Sequence, residues 1–589
     1  MAISNPKFKI TSPKRTSFFE AANLKHCESI EEVVEVLLEN RGIKTKKDKE
    51  EFFNPKISDV TPDSVGISAE DLKKAVVRIK KAIENNEQIV VYGDYDVDGI
   101  CASTILWETL YSLGAKVLPY IPHRIDEGYG LSIKGILNLK SQITNPKLII
   151  TVDNGIVAKE AVEFAKKEGI DVIITDHHTV DKEKPKAVAI VHTTKLCGAG
   201  VAYLLAQAII NDQPARNASI SVAGGSSMIN HLELAAIATV ADMVPAIGAN
   251  RAILKEGLRK LNTTKRIGLL AIFSEAGISS QKQIGTYEIG FIIGPRINAM
   301  GRMDLAIDSL RLLCTNDKAR ARALAQKLGE TNKDRQELTR ETVDLAISNI
   351  KSQKSKIGNL IFVSDKDYQQ GVIGLVAGKL VEEFYKPSIV VSVGKEFSKA
   401  SARSVKGFNI TDFIRTASDM LVNVGGHPMA AGFTVETSKL KELQEKLEKL
   451  GEELITKEHL KKITKIDCEI PLSLVSFELS DELQKMEPFG MGNPTPVFSS
   501  KAIINDIRLV GQDGKHLKLK LKSSIINHPV SLAGRQSPIT SFDGIAFGMG
   551  EKSKELSIGD EVNIAYVLEQ DEWNGNKKLQ LRIRDLSIK

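Results

Sequence analysis

The sequence predicts an α/β protein: a parallel-sheet domain and a second smaller α/β domain joined by a long helix, followed by an all-β domain. Three observations predict it. Short β-branched apolar runs at Ile89 to Tyr92, Leu148 to Val152 and Val172 to Ile174 alternate with helical patterns, which is the signature of β-α-β units. Thr315 to Lys351 holds one Gly and no Pro and is charged throughout, so a helix of roughly 50 Å can connect two lobes. From about Lys465 the pattern turns to period two, as in Leu517, Leu519 and Leu521 against Lys518, Lys520 and Lys522.

The boundaries expected are an N-terminal adapter over 1–65, a first α/β domain over 66–314, the connecting helix over 315–355, the second α/β domain over 356–455 and the β domain over 465–589. The adapter is polar, with one helical pattern at Ile30 to Leu38, and is expected to pack on the first domain. Ser68 opens the next helix with Asp71 in the capping-box position, and that helix leads into the first strand. The second lobe should have strands near Leu360 to Val363 and Ser388 to Val393, with Ser401, Arg403, Ser404 and a Gly425, Gly426, His427 turn on loops. In the β domain, Trp573, Asn574 and Gly575 read as a hairpin turn, and about five strands suggest a barrel able to bind single strands. Phe498, Phe542, Phe547, Tyr566 and Trp573 are its stacking candidates, and the lysine stripe suits a phosphate backbone.

The chemistry concentrates where apolar runs end. Asp94, Asp96 and Asp98 follow the first run, Asp153 follows the second, Asp176, His177 and His178 follow the third, and Asp242 closes the apolar segment Leu232 to Val240. Open α/β sheets bind ligands at the carboxyl ends of their strands. Carboxylates this close repel one another unless a cation or protons intervene, although an isolated D-x-D-x-D can equally be a solvated acidic turn. Oxygen donors with one or two imidazoles suit manganese or magnesium better than structural zinc. Asp96, Asp98, Asp153, His177, His178 and Asp242 supply enough donors for two divalent ions.

The motifs GDYDVDG, TVDNG, TDHH and ATVADMVP resemble those of the DHH phosphoesterase superfamily, in which DHH is here Asp176, His177 and His178. IGPRINAMGRM, GGHPMAAGF and EPFGMGNPTPVF resemble, in order, motifs of the bacterial RecJ single-strand DNA exonucleases, so the likeness covers nearly the whole chain. The resemblance implies a DHH domain, a DHHA1-type domain and an OB-like domain. It implies that Asp94 and Asp176 join the metal cluster as ligands or as groups orienting the histidines. It places Arg124 and Tyr129 at a 5′-end pocket, and Arg296, Asn298, Arg302, Ser401, Arg403, Ser404, Gly425, Gly426 and His427 on substrate. The activity implied is 5′ to 3′ hydrolysis of single-stranded DNA to 5′-mononucleotides, in recombination and repair, beside a helicase and a single-strand-binding protein. Two departures from the family pattern stand out: a shortened AIVHTTKLCGAGVA loop with His192 near an expected Asn, and Tyr368 and Gln369 where Trp and His are common.

Composition narrows the alternatives. At 589 residues the chain exceeds one core, and 42% hydrophobic with 26% charged residues argues against disorder. A net charge of +6 fits a polyanionic partner without demanding one. No apolar run approaches the roughly 18 residues of a membrane span, and five cysteines without a C-x-x-C pair fit a reducing compartment, so a cytoplasmic monomer is expected. An oligoribonuclease or cyclic-dinucleotide phosphodiesterase shares the metal chemistry but typically has only two lobes or adds membrane and sensory segments. A type II inorganic pyrophosphatase would lack the GGH motif, and a non-catalytic DNA-binding scaffold should have lost metal ligands, none of which is missing.

Overall fold

Five strands of the first domain form where β-branched residues run continuously: β1 (Gln88–Tyr92), β2 (Val117–Tyr120), β3 (Pro146–Val152), β4 (Asp171–Asp176) and β5 (Ala189–His192). They make a wholly parallel sheet in the order β2-β1-β3-β4-β5. Ile89 and Val91 face a core that includes helices Val97–Ser112 and Gly198–Asn211, while Val90 and Tyr92 face a second core with helices Ile133–Gln142 and Lys159–Lys167. Burial on both faces explains the unbroken apolar runs. The strand order reverses between β1 and β3, and the crevice there is where such sheets hold ligands. The computed structural model describes residues 24–124, 126–212, 231–352, 358–523, 541–573 and 576–588, with backbone alone at 571–573 and 576.

Helix Lys318–Ser352 spans 35 residues and links the lobes. Its early part packs on helices Ile267–Glu275 and Gly294–Met303, and it also contacts helix Ile373–Phe384 of the second lobe. That lobe carries β6 (Ile361–Asp365), β7 (Ser388–Ser392), β8 (Phe397–Arg403), β9 (Leu421–His427) and β10 (Ala430–Glu436) in the order β6-β7-β8-β10-β9. Only the β6–β7 pair is parallel. Ser401 and Arg403 therefore sit on a strand rather than a loop, and Gly425, Gly426 and His427 are the exposed end of the edge strand β9, not a turn. The turn falls one step later, at Pro428 and Met429, because Ala430 pairs with His427 across the hairpin.

The C-terminal domain contains β11 (Cys468–Glu469), β12 (Phe498–Val510), β13 (His516–Ser523), β14 (Phe542–Ala546), β15 (Glu561–Trp573) and β16 (Asn576–Ile588). Pairing of β12 with β15 closes five of these strands into a barrel. Phe498, Phe542 and Tyr566 are buried in its core, so three of the stacking candidates are packing residues. Phe547 is exposed, beside His516 and Arg582. The Asn574–Gly575 turn and the Trp573 side chain lie outside the described residues. Lys520 and Lys522 are exposed on β13 and Lys518 is half-buried, with Asp506 and Asp543 paired opposite Lys520.

The N-terminal helices dock elsewhere than the sequence suggests. Val33, Leu37 and Phe52 join the barrel's core, Cys27 N donates to the Glu469 carbonyl, and Glu469 N donates to the Lys25 carbonyl. The apolar face of helix Ile30–Asn40 thus caps the C-terminal domain, and that helix shares one core with the barrel. Arg251, on helix Gly248–Leu261, ties the first domain to both. Its fully buried guanidinium donates to the carbonyls of Phe52 (2.6 Å), Glu487 (2.9 Å), Met486 (3.0 Å) and Pro488 (3.3 Å) and lies 3.8 Å over the Phe52 ring. Burial, with Arg41 nearby, pulls this guanidinium down to about 10, so it is still charged at neutral pH and is solvated by carbonyl dipoles. Arg251→Met should cost about 3 kcal/mol of unfolding free energy, because four buried carbonyls lose their donor. Arg251→Lys should recover only part of that, since one ammonium cannot reach all four. Denaturant midpoints check this, and a loss near zero for the Met variant would show that the joint does not depend on Arg251.

Candidate metal centre and phosphate pocket

Each acid of the centre is placed by a local structural rule. Asp94 lies two residues beyond β1, after Gly93, and is buried. Asp96 caps helix Val97–Ser112 by accepting from Gly99 N at 3.1 Å, which leaves its other oxygen for the crevice. Asp98, in the first turn, accepts from Gly198 N (2.6 Å) and Ala199 N (2.7 Å) at the start of helix Gly198–Asn211, where the dipole favours a carboxylate. Gly198 is required there: a Cβ would stand 2.6 Å from the Asp153 Cβ. Asp153, after β3, holds a left-handed φ of 63°. Asp242 is the C-cap of helix Leu232–Ala241.

These residues converge. His177 Nε2 lies 3.1 Å from Asp153 Oδ1 and 3.7 Å from both Asp98 Oδ2 and Asp242 Oδ2. Three sets can each surround a cation: Asp94, Asp96 and Asp153; Asp98, His177 and Asp242; and Asp153, His177 and His178. Asp176 plays a different part. It accepts from the backbone of Ile156, His177 and His178 and from His178 Nδ1 at 2.8 Å, so it orients the histidine pair. The other ring nitrogen of His178 is 3.0 Å from the Tyr129 hydroxyl, and His192 bonds the His178 carbonyl at 2.7 Å.

The donors fit hard divalent ions. Asp94 Oδ1 and Asp153 Oδ1 are buried without a hydrogen-bond partner, which is costly unless a cation takes the position. Burial first, then the neighbouring carboxylates, pushes Asp98 up to about 7 and Asp242 up to about 8, and raises Asp94 and Asp153 strongly. Burial, then His178, lowers His177 to about 4, which keeps it a neutral ligand. In Asp176 the hydrogen bond and charge of His178, with the Ile156 amide, outweigh burial and hold the carboxyl below its usual value. A carboxyl raised in the folded state stabilises at low pH, and that contribution is lost as pH climbs through its folded value. Chelator-treated protein should therefore melt at progressively lower temperature from about pH 4, where the unfolded carboxyls ionise, to about pH 8, and manganese should raise the melting temperature more at the upper end. A flat chelated profile would contradict this electrostatic account.

Against the acids stands a basic wall. A cavity of about 210 Å³ is lined by Asp94, Tyr95, Asp96, Arg124, Tyr129, Asn298 and Arg302. A second, of about 250 Å³, shares Arg124 and Arg302 and continues to Gln370, Lys399, Ser401 and Arg403 of the second lobe. Burial, with Arg124, Arg335 and Arg403 close by, pulls the Arg302 guanidinium down to about 10. Among the described residues none of these four arginines has an ion-pair partner, and Arg335 Nε is buried without a hydrogen bond. Uncompensated guanidiniums facing a cavity suit an anion held through several donors.

Of the residues expected at substrate, Arg124, Tyr129, Asn298, Arg302, Ser401 and Arg403 line these cavities. Arg296 does not: it is committed to Glu275 at 2.6 Å and to the Ile292 carbonyl. The Ser404 hydroxyl is spent on the Phe408 carbonyl, and Gly425, Gly426 and His427 lie outside both cavities. Tyr95, inside the D-x-D-x-D, and Lys399 and Arg335, outside any quoted motif, are additions of the structure.

Family models match three parts of the chain: the DHH family N-terminal domain at 88–239, the DHHA1 domain at 357–453 and the RecJ OB domain at 466–585. The single-stranded-DNA-specific exonuclease RecJ of Bacillus subtilis is 32% identical over 600 residues, spanning 100% of this chain and 72% of that protein. RecJ of Thermus thermophilus is 30% identical over 535 residues, spanning 90% of this chain and 72% of the relative. The crystal structure of Thermus thermophilus RecJ in complex with Mn2+ superposes with a TM-score of 0.75 at 27% identity, covering 96% of this chain and 79% of that one, and the Mg2+ complex with 0.70. With all three domain models in order and similarity along the whole of this chain, the chain belongs to the RecJ family of single-stranded-DNA-specific exonucleases.

Proposed function

We propose that the protein hydrolyses single-stranded DNA from the 5′ end, releasing 5′-mononucleotides, with two divalent cations held among Asp94, Asp96, Asp98, Asp153, His177, His178 and Asp242. One observation carries this reading: carboxylates of the cluster, Asp94 and Asp96, line a cavity with Arg124 and Arg302, and that cavity adjoins a second one that adds Arg403, three guanidiniums with no ion-pair partner among the described residues. A scissile phosphodiester against the acids puts the neighbouring phosphate among the arginines, and a doubly charged terminal phosphate matches them best.

Divalent ions supply Lewis-acid stabilisation of charge on the phosphate and acidify a water. The protein's own groups do the positioning. Arg124, Arg302 and Arg403 hold the terminal 5′-phosphate, and Asp176 keeps a proton on His178 Nδ1 so that the ring edge toward Tyr129 is fixed. Water oxygen bonds to phosphorus, the bond from phosphorus to the 3′-oxygen breaks, and that oxygen takes up a proton. The shortened strand keeps the phosphate as its new 5′ end, so each turnover regenerates the group the arginines bind. Strand resection in recombination and repair, beside a helicase and a single-strand-binding protein, is the setting this chemistry suits. Tyr368, at a departure from the family pattern, is buried and bonded to Asn349, and so has no contact with the pocket.

The test is digestion of single-stranded DNA labelled at either end, with manganese. Early release of the 5′ label as a 5′-mononucleotide is expected. Release from the 3′ end first would overturn the polarity, and cleavage of dinucleotides with long DNA untouched would make the protein an oligonucleotide phosphodiesterase.

A further inference from the structure

Residues 286–303 form one continuous helical stretch with a π-turn, Ile289–Ile293, set between α-helical segments Thr286–Glu288 and Gly294–Met303. Such insertions are frequent at functional sites. Gly294 N reaches back five residues to the Ile289 carbonyl, and Ile289 and Ile293 are buried beneath. Tyr287 and Phe291, four residues apart, stack at 4.9 Å with 28° between ring planes, and both residues face solvent, 61% and 70% exposed. Large stacked aromatics at such exposure have no packing role in the chain itself.

Position gives them one. Farther along the same stretch, Asn298 accepts from Val97 N at 3.1 Å, beside Asp96, and Asn298 and Arg302 line the cavity at the metal centre. Four residues separate Asn298 from Arg302 on the α-helical segment, so those two side chains share one helix face, and Phe291 stands about two turns earlier on the same stretch. Eleven residues from Phe291 to Arg302 span roughly 16 Å, the reach of a few nucleotides. The neighbouring Glu288 is turned to Lys282 at 2.9 Å and to the Gly285 amide. On the other side, the loop of the C-terminal domain is anchored here through Thr286 Oγ1 to the Phe489 carbonyl and Ala246 N to the Met491 carbonyl.

We propose that Tyr287 and Phe291 form a stacking platform for the bases of single-stranded DNA just 3′ of the nucleotide being removed, between the metal centre and the C-terminal barrel. This rests on the exonuclease reading above. Every base has a π-face, so the platform grips without reading sequence, and unpaired bases alone can reach it, which favours single over double strands.

The experiment is equilibrium binding of 5′-phosphorylated oligothymidylate, with a chelator to prevent cleavage, to wild type, Phe291→Ala, Tyr287→Ala/Phe291→Ala and Phe291→Trp. Affinity should fall about tenfold for each ring removed and be kept by Phe291→Trp. Abasic sites a few nucleotides from the 5′ end should weaken binding to wild type but not further weaken binding to the double variant. Circular dichroism melts confirm that the variants are folded. Wild-type affinity in the double variant, or an equal abasic penalty in both proteins, would overturn the platform. A wild type that neither binds nor degrades single-stranded DNA would instead remove the exonuclease reading beneath it.

Discussion

Asp153→Asn is expected to lower the rate of single-stranded DNA hydrolysis by about 10³-fold or more, with its shape preserved and one charge removed. Asp153 belongs to two of the three sets able to surround a cation, and its Oδ1 is within 3.1 Å of His177 Nε2. Losing it weakens both positions, and Lewis-acid stabilisation worth several kcal/mol converts to that rate at about 1.4 kcal/mol per factor of ten. Asp176→Asn should cost less, about 10- to 100-fold, because Asp176 orients His178 rather than joining a cation set. The ordering is informative because stability should move the other way. Removing a buried charge at position 153 relieves repulsion in the chelated protein, so its melting temperature should hold or rise. Steady-state rates with manganese, alongside melts with chelator, check both. A variant at 153 within tenfold of wild type would show that the cluster is not the reaction centre.

Arg302→Ala should lower kcat/KM on 5′-phosphorylated DNA by about 10²-fold and should do much less on 5′-hydroxyl DNA. Arg302 lines both cavities and is surrounded by Arg124, Arg335 and Arg403 with no acid paired to it among the described residues. A charged hydrogen-bonding partner removed from a desolvated phosphate costs about 2–5 kcal/mol. Arg302→Lys should restore only part, since a point charge replaces a planar fork. Because the free protein pays to hold these cations together, the alanine variant should unfold no earlier than wild type. Equal losses on both DNA ends would mean that Arg302 supports the fold of the pocket rather than binding the terminal phosphate.

Much of this was legible in the sequence for local reasons. Continuous β-branched runs marked strands buried on both faces, and the acids just beyond them marked the strand ends that meet in the crevice. The polar stretch Lys318–Ser352, with a single glycine, carried its length in its composition. What stayed hidden depends on partners distant in the chain. Arg251 reads as an ordinary helix residue until Phe52 and residues 486–488 supply its acceptors. Arg296 shares a motif with Arg302, but Glu275, on another helix, claims it. Glycines in Gly425–Gly426 suggested a turn, yet the pairing with β10 extends through them. The aromatic residues Phe498 and Tyr566 alternate as barrel strands do, and alternation alone does not say which face is inside. The apolar face of Ile30–Asn40 was visible, but not that the barrel, rather than the first domain, would cover it.

Anomalous diffraction at the manganese edge, from crystals grown with manganese, tests the central claim most directly. The account predicts two peaks per chain, one touching Asp94 or Asp96, the other touching Asp98 or Asp242, with Asp153 between them. A single peak, or peaks bound only by acids elsewhere on the chain, would contradict it.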